Sequence, residues 1–329
     1  MTFKYNNVYI NETATITGPY EGNGPLSKYF DKSYKEFYFG EKNWEEAEKH
    51  ILKESLDLLL KKTCNSTCDI DLFISGDLLN QITSSSFTAN DLKIPYLGIF
   101  SACASSVEGL IIGANMIENK QIKNCICSVS SHNNAAEKQF RYPVEYGGPK
   151  PKTTTFTTTG GASALLSSKK GNIKIESGTI GVVQDKGIKD GYSMGAVMVP
   201  AFADTLVNHL KDTGRTVDYY DLILSGDLGK YGKDILKEYM KKTYNINLLN
   251  YDDTACMIFD IDKQPVYSGG SGPACAPLVT YSYIFYLMKK KKIKKVLLIA
   301  TGALLSITSA NEKRTIPSIA HAISLEAII

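Results

Sequence analysis

The chain repeats itself, and this repetition constrains its fold more than any other feature. DLFISGDL at 71–78 returns as DLILSGDL at 221–228, with Asp, Leu, Ser, Gly, Asp and Leu in register. SACA at 101–104 is echoed by PACA at 273–276. Each copy precedes a helical stretch and then an apolar strand, Cys125 to Val129 in one half and Val296 to Ala300 in the other. YINETATITGP at 9–19 and IKIESGTIGVV at 173–183 open the two copies with strand-like alternation. Strands that alternate with helices favour parallel pairing through right-handed crossovers. The predicted fold is therefore α/β, with two pseudo-twofold related βαβαβαβ-type halves, residues 1–170 and 171–329, forming a layered αβαβα core. Ser167, Ser168, Lys169, Lys170 and Gly171 read as a hairpin turn joining the halves. The alternative is two independent doubly wound domains.

Local signals place the first half's elements. Asn43 caps a predicted helix whose apolar stripe runs Trp44, Ala47, Ile51, Leu52, Leu56, Leu59 and Leu60. A strand over Ile70 to Ile74 follows. After Pro95 a short buried strand is predicted to lead into a tight turn at Ser101 to Ala104. The next helix runs from about Ser105 to Asn119, with Ser105 and Glu108 as a capping box.

Composition excludes several classes. With 43% hydrophobic and 22% charged residues the chain is in the ordinary globular range. Its net charge of +3 comes from scattered lysines, including Lys289 to Lys292, and only Arg141, Arg215 and Arg314 carry guanidinium. That is not the dense basic face of a nucleic-acid binder, and the lysine run reads as a solvated helix end. Seven cysteines form no disulfide framework, and neither Cys64 with Cys68 nor Cys125 with Cys127 has a neighbouring histidine to complete a zinc set. A reducing compartment fits. The N-terminal residues lack the pattern of a signal peptide, and no apolar run approaches the ~20 residues of a membrane span. The expectation is a soluble protein made in the cytoplasm.

A duplicated βαβ chain with Cys103 at the strand-to-helix turn of its first half resembles the thiolase superfamily, including ketoacyl-acyl carrier protein synthase III. TTGGASALLSS at 158–168 is similar to that family's glycine-alanine strand. Closer still is the stage V sporulation protein AD family. GPLSKYFDKSY at 24–34, KNWEEAE at 42–48, SGDLLNQ at 75–81, SSHNNAAEKQFRYPVEYGGPKP at 130–151, GGSGPACA at 269–276 and ATGALLS at 300–306 resemble it. The resemblance implies a component of the spore inner-membrane machinery that moves dipicolinic acid, one that binds dipicolinate itself and associates peripherally with that membrane beside integral-membrane subunits. It implies no cofactor and leaves a homodimer open.

Cys103 stands where the superfamily keeps its acyl-accepting nucleophile, and a thiol at a helix start is expected to have its pKa lowered by the dipole. Condensation also needs a general base and oxyanion donors from the second half. The position where the synthase III pattern has histidine carries Gly226, and Gly270 with Ser271 stands where it has Gly-Asn. With both partners replaced, the expectation is a degenerate condensing enzyme with Cys103 a vestigial nucleophile. Cys275 reads as a buried packing thiol, and His321, placed just before the final strand, as a core histidine.

A vestigial pocket remains a pocket, and α/β sheets bind ligands beyond their strand ends. Dipicolinate is a flat aromatic dianion, which calls for planar donors and an aromatic or apolar wall. Arg141, flanked by Gln139, Phe140 and Tyr142, offers a carboxylate fork. His132, Asn133 and Asn134 are predicted at the same mouth, with Asn80, Gln81, Cys103 and Ser271 facing it and Lys150 and Lys152 balancing the second carboxylate. The bland alternatives are solvated lysines, turn-forming asparagines, and an Arg141 paired with Glu137 or Glu145. Asp77 and Asp227 either hold calcium or cap the helices that follow. Their duplication favours capping.

Overall fold

The computed structural model describes residues 1–140 and 148–328. The first half supplies strands β1 (Tyr9–Thr17), β2 (Leu72–Gly76), β3 (Tyr96–Gly98), β4 (Asn124–Ser131) and β5 (Gly160–Ser167). The second supplies β6 (Ile173–Ile180), β7 (Leu222–Ser225), β8 (Tyr251–Asp253), β9 (Lys295–Ala303) and β10 (Ser318–Ala327). Their spatial order is β3-β2-β4-β5-β1 followed by β6-β10-β9-β7-β8, the same order read outward from both sides of a central junction. β1 and β6 pair directly at that junction, Tyr9 opposite Lys174 and Ile10 opposite Ile173, so strand hydrogen bonding continues from one half into the other. β2 runs parallel to β4, and β7 parallel to β9.

Helices cover these strands inside and out. α1 (Trp44–Thr63) and α2 (Thr83–Leu92) lie on the outer face of the first half, and α3 (Ser105–Glu118) on its inner face. Leu52, Leu56 and Leu59 of α1, spaced for one helical face, pack with Phe73, Ile126 and Leu165. α4 (Asn133–Phe140) follows β4. In the second half α5 (Met194–Thr213) and α6 (Gly229–Tyr244) form the outer layer, where Phe202 and Leu206 meet Ile223, Leu297 and Ile299. α7 (Cys275–Val279) begins the inner helical run, and α8 (Ile307–Asn311) follows β9. α3 touches β9 and β10, while α7 touches β5, so the inner helices are shared between the halves. One apolar core therefore spans both copies.

Asn43 caps α1 as expected, accepting the Glu46 amide at 2.8 Å. Three local expectations need correction. The strand after Pro95 is an edge strand with Leu97 40% exposed, because β3 has a partner on one side alone. Ser105 and Glu108 form no capping box: the Ser105 hydroxyl accepts from the Ser101 amide at 3.0 Å and donates to the Ala102 carbonyl at 2.8 Å, while Glu108 accepts from the Ser101 hydroxyl at 2.7 Å. These side chains brace the turn before α3 instead. His321 lies inside β10, opposite Ala300 and Ile180.

Candidate functional site

The site is built where strands from both halves end. Ala102 adopts a left-handed conformation at φ 52°, a strained position for a residue with Cβ. It turns the chain sharply and presents Cys103 just before α3. Gly302 of β9 packs against this elbow; a Cβ there would lie 2.2 Å from the Ser101 carbonyl oxygen, so only glycine allows the approach. The elbow is thereby held by the second half.

Cys103 forms part of the wall of a cavity of about 300 Å3. Leu78, Phe100, Phe140, Tyr192, Leu305 and Ile307 give it apolar and aromatic surfaces, Thr155, Thr157, Ser271 and Asn311 add neutral polar groups, and Lys189 and Arg314 bring positive charge. Glu137 of α4 also lines it, ion-paired with Lys150 at 2.8 Å. None of the chain's four histidines, all of them described, is among the lining residues.

Of the residues predicted to contact a ligand, Cys103 and Ser271 line this cavity. Arg141 and its neighbour Tyr142 lie outside the described residues. His132 is fully buried: its Nε2 donates to the Phe37 carbonyl at 2.7 Å, its Nδ1 accepts the Ala135 amide at 3.3 Å, and burial pushes its pKa down to about 4. Its ring is thus committed to the fold rather than to the mouth. Asn133 is buried, its amide donating to the Thr159 hydroxyl, and Asn134 borders a separate surface hollow with Tyr20 and Phe37. Gln139 accepts the Asn80 amide at 2.9 Å, joining α4 to the turn after β2, where Gln81 sits in a left-handed conformation. Neither Asn80, Gln81, Gln139, Lys150 nor Lys152 is among the lining residues.

The electrostatics around the thiol differ from the sequence expectation. Burial, followed by the Asp227 carboxyl, pushes the Cys103 pKa well up, overriding the helix dipole. Gly226 does not face the sulfur, since a Cβ there would meet Ala300 Cα and Thr301 N at 3.3 Å. The residue from this strand end that reaches Cys103 is Asp227.

Asp77 does what capping requires, accepting the Leu79 amide at 2.9 Å and the Ser85 amide at 2.8 Å. Asp227 does not. Its helix-capping work is done by Asp253, which accepts the Leu228 and Gly229 amides at 3.0 Å and the Ser225 hydroxyl at 2.5 Å. Among the described residues no three His, Cys, Asp or Glu side chains converge as a metal site.

The predicted set missed the second-half wall: Lys189 and Tyr192 between β6 and α5, and Asn311 and Arg314 at and after α8. One signal pointed there, since Arg314 is one of three arginines in the chain.

The sequence model of the stage V sporulation protein AD family matches residues 1–326. Stage V sporulation protein AD of Bacillus subtilis (strain 168) is 43% identical over 319 residues, covering 97% of this chain and 94% of that protein. Among solved structures, 3-oxoacyl-acyl-carrier-protein synthase III from Aquifex aeolicus VF5 is similar with a TM-score of 0.59 at 13% identity, over 97% of this chain and 99% of that one. A variant of OleA from Xanthomonas campestris gives 0.62 at 13% identity, over 98% of this chain and 99% of that one. The α/β fold is thus that of the thiolase-like condensing enzymes, and at such identities the likeness concerns fold alone.

Proposed function

This chain belongs to the stage V sporulation protein AD family of sporulation proteins, and from that premise we propose that it is a non-catalytic receptor for dipicolinic acid. The carrying observation is a cavity that has a cysteine in its wall and no imidazole, with that thiol held protonated. Acyl transfer needs a thiolate and a group to take its proton; binding a flat dianion needs neither. Phe100, Phe140 and Tyr192 offer aromatic surfaces for a pyridine ring, and Lys189 and Arg314 offer charge for its carboxylates. Arg141, outside the described residues, is expected from its guanidinium chemistry to act as a carboxylate fork and is a further carboxylate partner on this reading. No helix among the described residues is long and apolar enough to cross a membrane. On this reading integral-membrane subunits form the conduit, and the protein works beside them, held peripherally at the spore inner membrane.

Calorimetric titration with dipicolinate, with and without calcium, tests the proposal. Saturable heat that pyridine dicarboxylate analogues compete away supports it. Absence of heat from folded protein favours an adaptor that uses the scaffold only to dock membrane subunits. A Cys103 peptide carrying an acyl group after incubation with acyl-CoA, detected by mass spectrometry, overturns the non-catalytic reading.

A further inference from the structure

At the end of the molecule opposite the cavity the chain gathers positive charge that nothing in the fold neutralises. β9 runs from Lys295 to Ala303, and Ala303 lines the cavity, so the strand's length of about 26 Å separates the cavity from the turn that feeds β9. That turn reads KKKKIKK at 289–295. Lys294 reaches Glu326 at 3.2 Å and Lys295 reaches Glu176 at 3.8 Å, while exposed Lys289, Lys290, Lys291 and Lys292 have no ion-pair partner among the described residues. A helix dipole favours cations where the inner helical run ends, at Lys289 and Lys290. It does not explain Lys291, held at a left-handed φ of 58° where glycine is less strained, or Lys292 beyond it. The sheet sets a second basic group beside the first. Glu326 of β10 pairs with Lys295 of β9, and the next residue, Ala327, pairs with Ile173 of β6, so the hairpin carrying exposed Lys169 and Lys170 stands about 10 Å across the sheet from the run. Beside that hairpin is a polar hollow lined by Lys62, Lys169, Lys170, Asn65 and Asn172. Lys62 is drawn to Asp31, and the hairpin lysines have no ion-pair partner among the described residues.

We propose that this end is a docking face for an anionic bilayer, with Lys289–Lys292 and the Lys169–Lys170 hairpin resting among lipid headgroups. The proposal rests on the peripheral-membrane part of the proposed function and names the surface and lipid chemistry for it. Clustered lysines gain attraction from each anionic headgroup they approach, and mobile lipids can gather under them without a fixed register. The side chains suit that partner. An ammonium on a flexible stem is a hydrated point charge, whereas the planar fork that favours nucleic acid is found at this end only in Arg215, which is held by Glu176 at 3.1 Å. The acids that contact the run are also engaged: Asp221 accepts the Lys294 and Lys295 amides at 2.7 and 2.8 Å, and Glu326 and Glu176 hold the same two lysines' side chains. Leu249, 92% exposed in the turn before β8, adds an apolar side chain at this end of the sheet. With the lysines on the lipid, the cavity opens away from it.

Vesicle flotation of the full chain tests this face. Wild type is expected to float with phosphatidylcholine vesicles containing about one-third phosphatidylglycerol, to stay behind with phosphatidylcholine alone, and to be released as salt rises from about 50 to about 300 mM. Changing Lys289, Lys290, Lys291 and Lys292 together to Gln should weaken binding at least about tenfold, and Lys169→Gln with Lys170→Gln at least about threefold. Lys42→Gln with Lys186→Gln removes as much charge as the hairpin pair but from the cavity's end, before α1 and after β6, and should leave binding unchanged. All are exposed positions, and circular dichroism checks each fold. No binding to anionic vesicles overturns the proposal, as does binding indifferent to salt or an equal loss in the two double variants. Capture of duplex DNA or polyglutamate without capture of vesicles also overturns it and gives the face to another polyanion. Dipicolinate titration separates the two ideas: lysine-dependent flotation by protein that binds no dipicolinate sinks the receptor reading alone, whereas dipicolinate binding without flotation sinks this one.

Discussion

Asp77 and Asp227 occupy the same place in the two copies of one motif, and the molecule uses them in opposite ways. Both stand just past the end of a parallel strand, both follow Ser-Gly, and both are fully buried. Asp77 holds two backbone amides and so completes the turn into α2. Asp227 holds none, because Asp253 on the neighbouring strand has taken the amides of Leu228 and Gly229. Duplication copied the residue, and a second acid in one copy released it from its local task. A repeated motif thus keeps backbone geometry more faithfully than the job of its side chains.

The same substitution made in both copies gives the sharpest test. Asp77→Asn sets an NH2 group against one of two buried amides, leaving an unsatisfied donor, and is expected to cost about 2 to 4 kcal/mol. Asp227→Asn removes no hydrogen bond and resembles the protonated acid, so it should destabilise by no more than about 0.5 kcal/mol. Urea denaturation midpoints read both. Equal losses would end the contrast.

The halves also divide the cavity's charge. Lys150 of the first half is paired with Glu137 and does not line the space, while Lys189 and Arg314 of the second line it, Arg314 with its Nε on the half-exposed Glu312 at 2.5 Å. Lys189→Ala and Arg314→Ala are each expected to weaken dipicolinate binding by about 1.5 to 3 kcal/mol, and Lys150→Ala by under about 0.5 kcal/mol. Arg141→Ala is expected to fall with the first group at roughly 2 to 3 kcal/mol. A larger effect at Lys150 than at Lys189 or Arg314 would move the site towards the first half.

Acid-base behaviour gives a finer contrast. Burial and then the Asp253 charge hold the Asp227 carboxyl protonated well above its ordinary range. The folded state therefore keeps a proton that the unfolded chain releases above about pH 4. Stability from this group is present in full below that pH and is lost as pH rises towards the folded pKa. Asp227→Asn should gain on wild type through the same interval, as measured by thermal unfolding at several pH values. A constant difference would mean that Asp227 is ionised in the fold.

Much of this architecture was legible in the chain because repetition and periodicity are local properties. The repeated SGDL marked equivalent strand ends, the stripe from Ala47 to Leu59 marked a packed helix face, and the paired Cys-Ala turns marked the elbows. The second-half cavity wall was not legible. Residues 181–193 and 304–317 carry no apolar period, and their convergence on Cys103 depends on how the two halves pack. Asp253 was missed for a related reason. Nothing in YDD at 251–253 reveals that its last residue will reach across to amides 24 and 25 residues earlier. His132 does not reach the mouth predicted for it: a histidine after a strand end is compatible with either fate, and the Phe37 carbonyl that claims it is 95 residues away.

The smallest effects concern the paired cysteines, and they distinguish a cavity wall from a core. Cys275 is fully buried at the start of α7, and Gly270 approaches so closely that a Cβ there would lie 2.9 Å from its sulfur. Cys275→Ala should leave a small void and cost about 1 kcal/mol. Cys103 borders open space, so Cys103→Ala enlarges an existing cavity and should cost less. A protonated thiol is also a weak hydrogen-bond donor, and its loss should change dipicolinate affinity only a few-fold. Calorimetry on Cys103→Ala and denaturation of both variants measure these differences. Loss of most of the affinity would make the sulfur a principal ligand contact, and the second copy's cysteine would then be the only one of the pair whose work is packing.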